Sequence, residues 1–181
     1  MRNTNKVFIA TSLDGFIADK KGGIDWLDAF PAINQIDTGY GAFMAQIDAL
    51  LMGRNTFETV CSFDIEWPYE KPVFVLSNRL KEIPKALQDK VKLVSGPLQE
   101  VLDAIHQQGH HHLYIDGGKT IQSFLKEDLI DEMIITTIPF VLGGGIPLFS
   151  ELPNPILFEC VSSQTFLGKI VQSRFVRNRE K

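Results

Sequence analysis

The chain has 181 residues, 44% of them hydrophobic and 22% charged, which is enough apolar material for one buried core and too little charge for a disordered chain. With 18 basic against 22 acidic side chains the net charge is -4, which excludes a broad electrostatic hold on nucleic acid or an anionic membrane. The polar start and the short apolar run at 7–10 do not form a signal-peptide core, so a cytoplasmic protein is expected. Cys61 and Cys160 lack the C-x-x-C spacing of a zinc or redox motif and are expected as buried thiols.

In chain order, a strand is predicted over 6–11, followed by a turn-rich stretch to Asp19. Phe43, Met44 and Ile47 have helical spacing and lead into a strand over 49–52. A helix through Phe57, Val60 and Cys61 follows, then strands over 72–77 and 91–94. Leu98, Val101, Leu102 and Ile105 make the next helix, with Pro97 just inside its start and Gly109 beyond its end. A strand over 113–115 runs into a helix through Ile121, Phe124 and Leu125. Strands alternating with helices imply right-handed crossovers and a mostly parallel sheet. The last third holds long strands over 132–139, 156–165 and 170–177, the latter two joined antiparallel at Leu167-Gly168-Lys169. Residues 133–150 carry no charge, but Pro139, Pro147 and three successive glycines break any membrane helix there.

Ligands of such sheets bind outside the carboxyl ends of the strands. The strongest signal there is Leu113-Tyr114-Ile115-Asp116-Gly117-Gly118-Lys119-Thr120, a strand entering a helix through a glycine pair. The missing side chains let a phosphate approach the backbone, and the free N–H groups of the helix start stabilise its charge. The alternative is a plain strand-to-helix turn. Gly53-Arg54-Asn55-Thr56 repeats the pattern with a guanidinium suited to a phosphate monoester and a Thr56 able to cap the helix. Ser77-Asn78-Arg79 adds a hydroxyl, an amide and a second guanidinium. Three such sites at one sheet edge suit a phosphorylated dinucleotide.

Ile9-Ala10-Thr11-Ser12-Leu13-Asp14-Gly15-Phe16-Ile17-Ala18, then Met52-Gly53-Arg54-Asn55-Thr56, Val75-Leu76-Ser77, Asp116-Gly117-Gly118 and Pro139-Phe140-Val141-Leu142-Gly143 occur in an order that resembles the dihydrofolate reductase-like group. More narrowly, the chain is similar to the reductase domain of bacterial riboflavin biosynthesis and its stand-alone relatives. The resemblance implies a single domain over 1–181. It implies an α/β, three-layer αβα dihydrofolate reductase-like fold, with a mixed, mostly parallel sheet and an antiparallel C-terminal edge strand. It implies NADPH as cofactor, with Arg54 and Ser77 at the 2′-phosphate and Gly117, Gly118, Lys119 and Thr120 at the diphosphate. Ala10, Ile17 and Ala18 then line the nicotinamide end. In dihydrofolate reductases the glycine pair holds a cis peptide, which would correspond here to Asp116–Gly117.

The family's acid on the first helix has no single counterpart. Counting back from Met52-Gly53-Arg54 lands on Asp37 and counting forward from Trp26 lands on Pro31, so Asp25, Asp28 and Asp37 are all candidates, at most one of which is expected to act. Each also reads as a loop or cap aspartate. Trp26, Phe43, Phe57 and Trp67 are candidates for an aromatic wall against a flat substrate, or for core or interface residues. His106, His110, His111 and His112 cannot all face one ion if 111 and 112 begin a strand, so no metal is expected. The function implied is an NADPH-dependent reductase transferring hydride to a small planar heterocycle, pterin- or pyrimidine-like, of the riboflavin-pathway or dihydrofolate reductase type. The alternative is a non-catalytic nucleotide-binding or interaction module on the same fold. A homodimer, through 142–148 and the C-terminal hairpin, is compatible with both.

Overall fold

A computed structural model describes residues 2–29 and 36–179, so Pro31 lies outside the described residues. The first strand is Thr4–Ser12 (β1), followed by Phe16–Ala18 (β2) and a short 3-10 turn at Asp25–Ala29. Then come Tyr40–Met44 (α1), Ala49–Gly53 (β3), Arg54–Ser62 (α2), Val73–Leu76 (β4), Val91–Val94 (β5), Leu98–His106 (α3), His112–Asp116 (β6) and Gly118–Lys126 (α4). The last third is Glu132–Ile138 (β7), Ile146–Pro147 (β8), Phe158–Phe166 (β9) and Ile170–Arg177 (β10).

Eight strands form one sheet in the order β5-β4-β3-β6-β1-β7-β10-β9. Pairing is parallel from β5 to β7 and antiparallel from β7 through β10 to β9. The strand of Ala49, Leu50, Leu51 and Met52 is apolar throughout because both its faces are covered, as a central parallel strand requires. Leu51, Ile115 and Val7 pack on the side of α3 and α4, and Leu50, Met52 and Tyr114 on the side of α1 and α2. Tyr114 and Asp116, two apart on β6, therefore share the α1/α2 face.

The edge strand is β9, and the C-terminal β10 is inserted between it and β7. Leu167 and Gly168 take φ of 53° and 64°, the left-handed pair a tight hairpin turn needs, and the turn folds β10 back into the free side of β7. No helix covers the outer end of that hairpin, where Val161, Leu167 and Val171 stay exposed. The expectation of buried cysteines is corrected for the same reason: Cys160 lies on the uncovered β9, Cys61 falls just past the inward stripe of α2, and both thiols are free and exposed.

The segment at 139–148 is stitched to its own chain. The Leu13 N–H donates to the Phe140 carbonyl at 2.8 Å and the Leu148 N–H to the Gly15 carbonyl at 3.0 Å. Two short strands, β2 and β8, pair antiparallel beside this seam. Asp14 closes the join, accepting the Leu142 and Gly143 N–H groups at 3.0 and 2.8 Å. The Ser12 hydroxyl that donates to it at 2.7 Å, then these N–H groups, hold its pKa down to about 2. A depressed carboxylate stabilises the fold above its ordinary pKa and is lost only as the pH falls through the folded value. Asp14→Ala is expected to speed hydrogen exchange at the Leu142 and Gly143 amides while leaving the β1 amides protected. Unchanged exchange at those two amides would contradict the latch.

The histidines sit at the opposite end of β6 from Asp116. The His111 and His112 N–H groups both donate to the Asp48 carboxylate at 2.8 Å, and the His106 and His111 rings stack at 5.9 Å. Among the described residues no group of three metal-ligating side chains gathers.

Candidate functional site

The carboxyl ends of β3 and β6 lie side by side, with Met52 paired to Asp116. Each strand turns at once into a nine-residue helix, α2 from Arg54 and α4 from Gly118. Two helix starts, with their unpaired N–H groups and positive dipole ends, therefore point into the same space. The turns interlock. A Cβ at Gly53 would stand 2.7 Å from Thr120 Oγ1, one at Gly117 would run into Thr56 Oγ1, and one at Gly118 would stand 3.0 Å from both Ile17 and Ile146. Gly117 has φ of 92°, a backbone that side chains resist. The described residues contain no cis peptide, so Asp116–Gly117 is trans, unlike the bond the resemblance suggests. Thr56 does not cap α2, whose N-cap is Gly53. Its hydroxyl faces Gly117 instead.

Arg54 and Glu58 are joined across one helical turn, with Arg54 Nη1 at 2.9 and 2.8 Å from the two carboxylate oxygens. An exposed pair of this kind is worth about 0–1 kcal/mol, so a phosphate monoester can take the guanidinium from Glu58. The Ser77 oxygen accepts the Arg79 and Leu80 N–H groups at 3.1 and 2.9 Å, which leaves its own proton to donate. Asn78 and Arg79 are exposed on the same turn. Beside them, Ser77, Asn78, Gly96, Pro97, Ser123 and Glu127 line a groove of about 350 Å³, at the small end of the range for ligand pockets. Lys119 is exposed at the start of α4, and Thr120 is buried against Gly53. Ala10 on β1 is half-buried, while Ile17 and Ala18 on β2 lie near Gly118 and Gly145.

Asp25, Asp28 and Asp37 are exposed, and the Asp37 carboxylate is engaged by the Gly39 N–H at 2.8 Å just before α1. The acid at the site is Asp116, which the sequence presents only as a replaced glycine. It is half-buried at the end of β6. Loss of water around its carboxyl pushes the pKa up to about 6, against the opposing N–H of Gly117 at 2.8 Å. Tyr114, Tyr40 and Tyr69 are pushed up in turn, first by burial and then by Asp116. As an ion this acid gains only the Gly117 N–H bond, which the loss of water outweighs, and such groups concentrate where proton chemistry occurs.

Of the four rings expected as an aromatic wall, three lie in the core. Phe43 and Phe57, at 3% and 2% exposed, lie in the inward stripes of α1 and α2 and are core residues. Trp26 is buried against Ile138, Ile170 and Phe140. The aromatic surface left near Asp116 belongs to Tyr40, Trp67 and Tyr69, which are not fully buried.

Residues 6–172 match the family model described as the RibD C-terminal domain. The Bacillus subtilis protein YwjB is 37% identical over 180 residues, covering 98% of this chain and 99% of that protein. A Shewanella sp. PV-4 protein provisionally assigned to riboflavin biosynthesis has a solved structure that superposes with a TM-score of 0.93 at 53% identity, covering 97% of this chain and 99% of that one. Dihydrofolate reductase from Enterococcus faecalis, solved with NADP(H), shares the fold at a TM-score of 0.64 and 17% identity, covering 97% and 96% of the two chains.

Proposed function

The chain belongs to the RibD C-terminal domain family, and on that footing we propose that it is an NADPH-dependent reductase delivering hydride to a small planar heterocycle, pterin- or pyrimidine-like. The observation that carries the reading is the meeting of two helix starts at interlocked glycine turns, beside a half-buried carboxyl with a pKa near 6. The E. faecalis enzyme of the same fold, solved with NADP(H), supports the choice of cofactor.

NADPH, when bound, supplies the hydride. The N–H groups of Gly118, Lys119 and Thr120, with the Lys119 ammonium, would hold the diphosphate. Gly53 and Gly117 leave room for the Thr120 and Thr56 hydroxyls, so the two turns close together beside that surface. Arg54 and Ser77, with Asn78 and Arg79 on the next turn, would hold the 2′-phosphate, and the groove beyond Ser77 would take the adenosine. Ala10, Ile17 and Ala18 would line the nicotinamide end with small or apolar groups. Asp116 then holds a proton for the heteroatom of the substrate double bond whose carbon receives the hydride. This role falls to Asp116 because Asp25, Asp28 and Asp37 are exposed and Asp37 already binds a backbone N–H.

Arg54→Ala is expected to weaken NADPH by roughly 10–100-fold, the loss of a charge-assisted bidentate contact, and to leave NADH almost unchanged. Titration of both cofactors against both proteins, followed by tryptophan fluorescence, checks it. Equal losses for the two cofactors would refute the 2′-phosphate role.

A further inference from the structure

The groove of about 350 Å³ beyond Ser77 has walls of three different origins. The turn after β4 gives Ser77 and Asn78, the start of α3 gives Pro97 and Leu98, and the outer side of α4 gives Ser123 and Glu127. Pro97 and the buried Leu98 make one side apolar, against which a flat ring can lie.

The polar groups differ in what they can still do. The Ser123 hydroxyl donates to the Lys119 carbonyl at 2.8 Å, so towards the groove it can only accept. Glu127 stands four residues on and therefore on the same side of the helix. Its carboxylate is also an acceptor only, and among the described residues it has no hydrogen-bond or ion-pair partner. It is the C-cap of α4, the negative end of the helix, where the dipole favours a partner of positive character. The Asn78 side chain is likewise unpaired among the described residues and carries both donors and an acceptor. No lysine or arginine lines the groove. A phosphate inside it would face the Glu127 carboxylate with no cation to offset it, whereas an uncharged ring bearing N–H donors would not.

We infer that Glu127, with Ser123, reads the exocyclic amine of an adenine ring held in this groove, and so sets the cofactor site for adenine against a purine with a carbonyl at the same position. The inference rests on the proposed cofactor and adds the residues that choose its base. The two N–H bonds of the amine meet two acceptors one helical turn apart, the ring lies against Pro97 and Leu98, and the Asn78 amide donates to a ring nitrogen. Hypoxanthine has nearly the same outline but turns an oxygen towards the same two acceptors, which leaves them unpaired and sets a carboxylate against a carbonyl.

The test is titration of the full chain with adenosine 2′-monophosphate and with inosine 2′-monophosphate, followed by protein NMR shifts, which read affinities into the millimolar range. Both ligands carry the same ribose and 2′-phosphate, so Arg54 and Ser77 contribute equally to each. The native chain is expected to bind the adenine nucleotide roughly 10-fold more tightly. Glu127→Gln keeps the size of the side chain and supplies an N–H donor for the hypoxanthine oxygen, so it is expected to bring the two ligands within about threefold of each other. Glu127 is exposed at a helix end, and thermal unfolding of the variant is expected to match that of the native chain. The inference is overturned if the adenine nucleotide does not bind, if the native chain binds both equally, or if the preference survives in Glu127→Gln. Equal binding of the two bases, with NADPH still preferred over NADH, removes this inference and leaves the cofactor reading standing. A preference that depends on Glu127, in a chain that reduces no ring with NADPH, upholds this inference and removes the reductase reading.

Discussion

Asp116→Asn is expected to lower turnover by roughly 10²–10⁴-fold, the usual contribution of a positioned general acid, while NADPH still binds. The native enzyme should lose rate as the pH rises through about 6, where the carboxyl gives up its proton, and the variant's residual rate should be flat across that range. The same substitution has an opposite effect on stability. Because burial raises the folded-state pKa above the ordinary 3.8, folding takes up a proton between those two values. The group favours the native state below about pH 4, and that contribution is lost as the pH passes 6. For a fully dry carboxyl a rise from 3.8 to about 6 is worth ~3 kcal/mol. Water reaches part of the side chain, so about 1–2 kcal/mol is the expected gain for Asp116→Asn at pH 8, with none at pH 4. Thermal unfolding at the two pH values, set beside the rate profile, checks both. A variant less stable than the native chain at pH 8, or as active as the native chain at pH 5, contradicts the role of Asp116.

The second large effect is at Gly117. Its φ of 92° is one that a side chain adopts only under strain, and a Cβ would run into the Thr56 hydroxyl. Strain of this kind costs of order 1–3 kcal/mol, and overlap in a packed site a similar amount. Gly117→Ala is therefore expected to lose about 2–5 kcal/mol of stability and to abolish NADPH binding. Adding Thr56→Ala removes the overlap but not the backbone strain, so the double variant should recover part of the stability. An alanine variant that binds NADPH like the native protein would place the cofactor elsewhere.

Much of the sheet is legible in the chain because parallel strands covered on both faces read as unbroken apolar runs. Residues 91–94 and 170–177 predict β5 and β10 to the residue, and 49–52 misses β3 only at Gly53. The hairpin turn at Leu167-Gly168-Lys169 is also legible, yet turn chemistry cannot say which strand its second arm joins. The second arm pairs with β7, so the last strand lies inside the edge. β2 and β8 are too short, at three and two residues, to show any period, and they exist through the pairing of Phe16 with Pro147 and of Ala18 with Ile146, 131 and 128 positions apart. Residue spacing places Phe43 and Phe57 on inward helix stripes but is silent on whether a stripe faces core or cleft, so of the rings read as a wall those two are core while Trp67 keeps part of its surface open. Cys61 shows the same limit one residue further along.

The glycine turns at Gly53 and Gly117 are visible in sequence because a missing side chain is itself the signal. The acid was harder to see. Nothing in the identity of Asp116 separates it from a strand-end or cap aspartate. Its character comes from loss of water at the end of β6, where the packed elements close around the carboxyl, and no local pattern of residues shows that burial.

The most direct measurement is isothermal titration of the native chain with NADPH and with NADH near pH 7 at physiological ionic strength. Interlocked glycine turns at two helix starts, with Arg54 and Ser77 beyond, predict a dissociation constant for NADPH in the low micromolar range, about -8 kcal/mol, and NADH at least roughly tenfold weaker. An NADPH titration without binding at millimolar concentration would contradict the account.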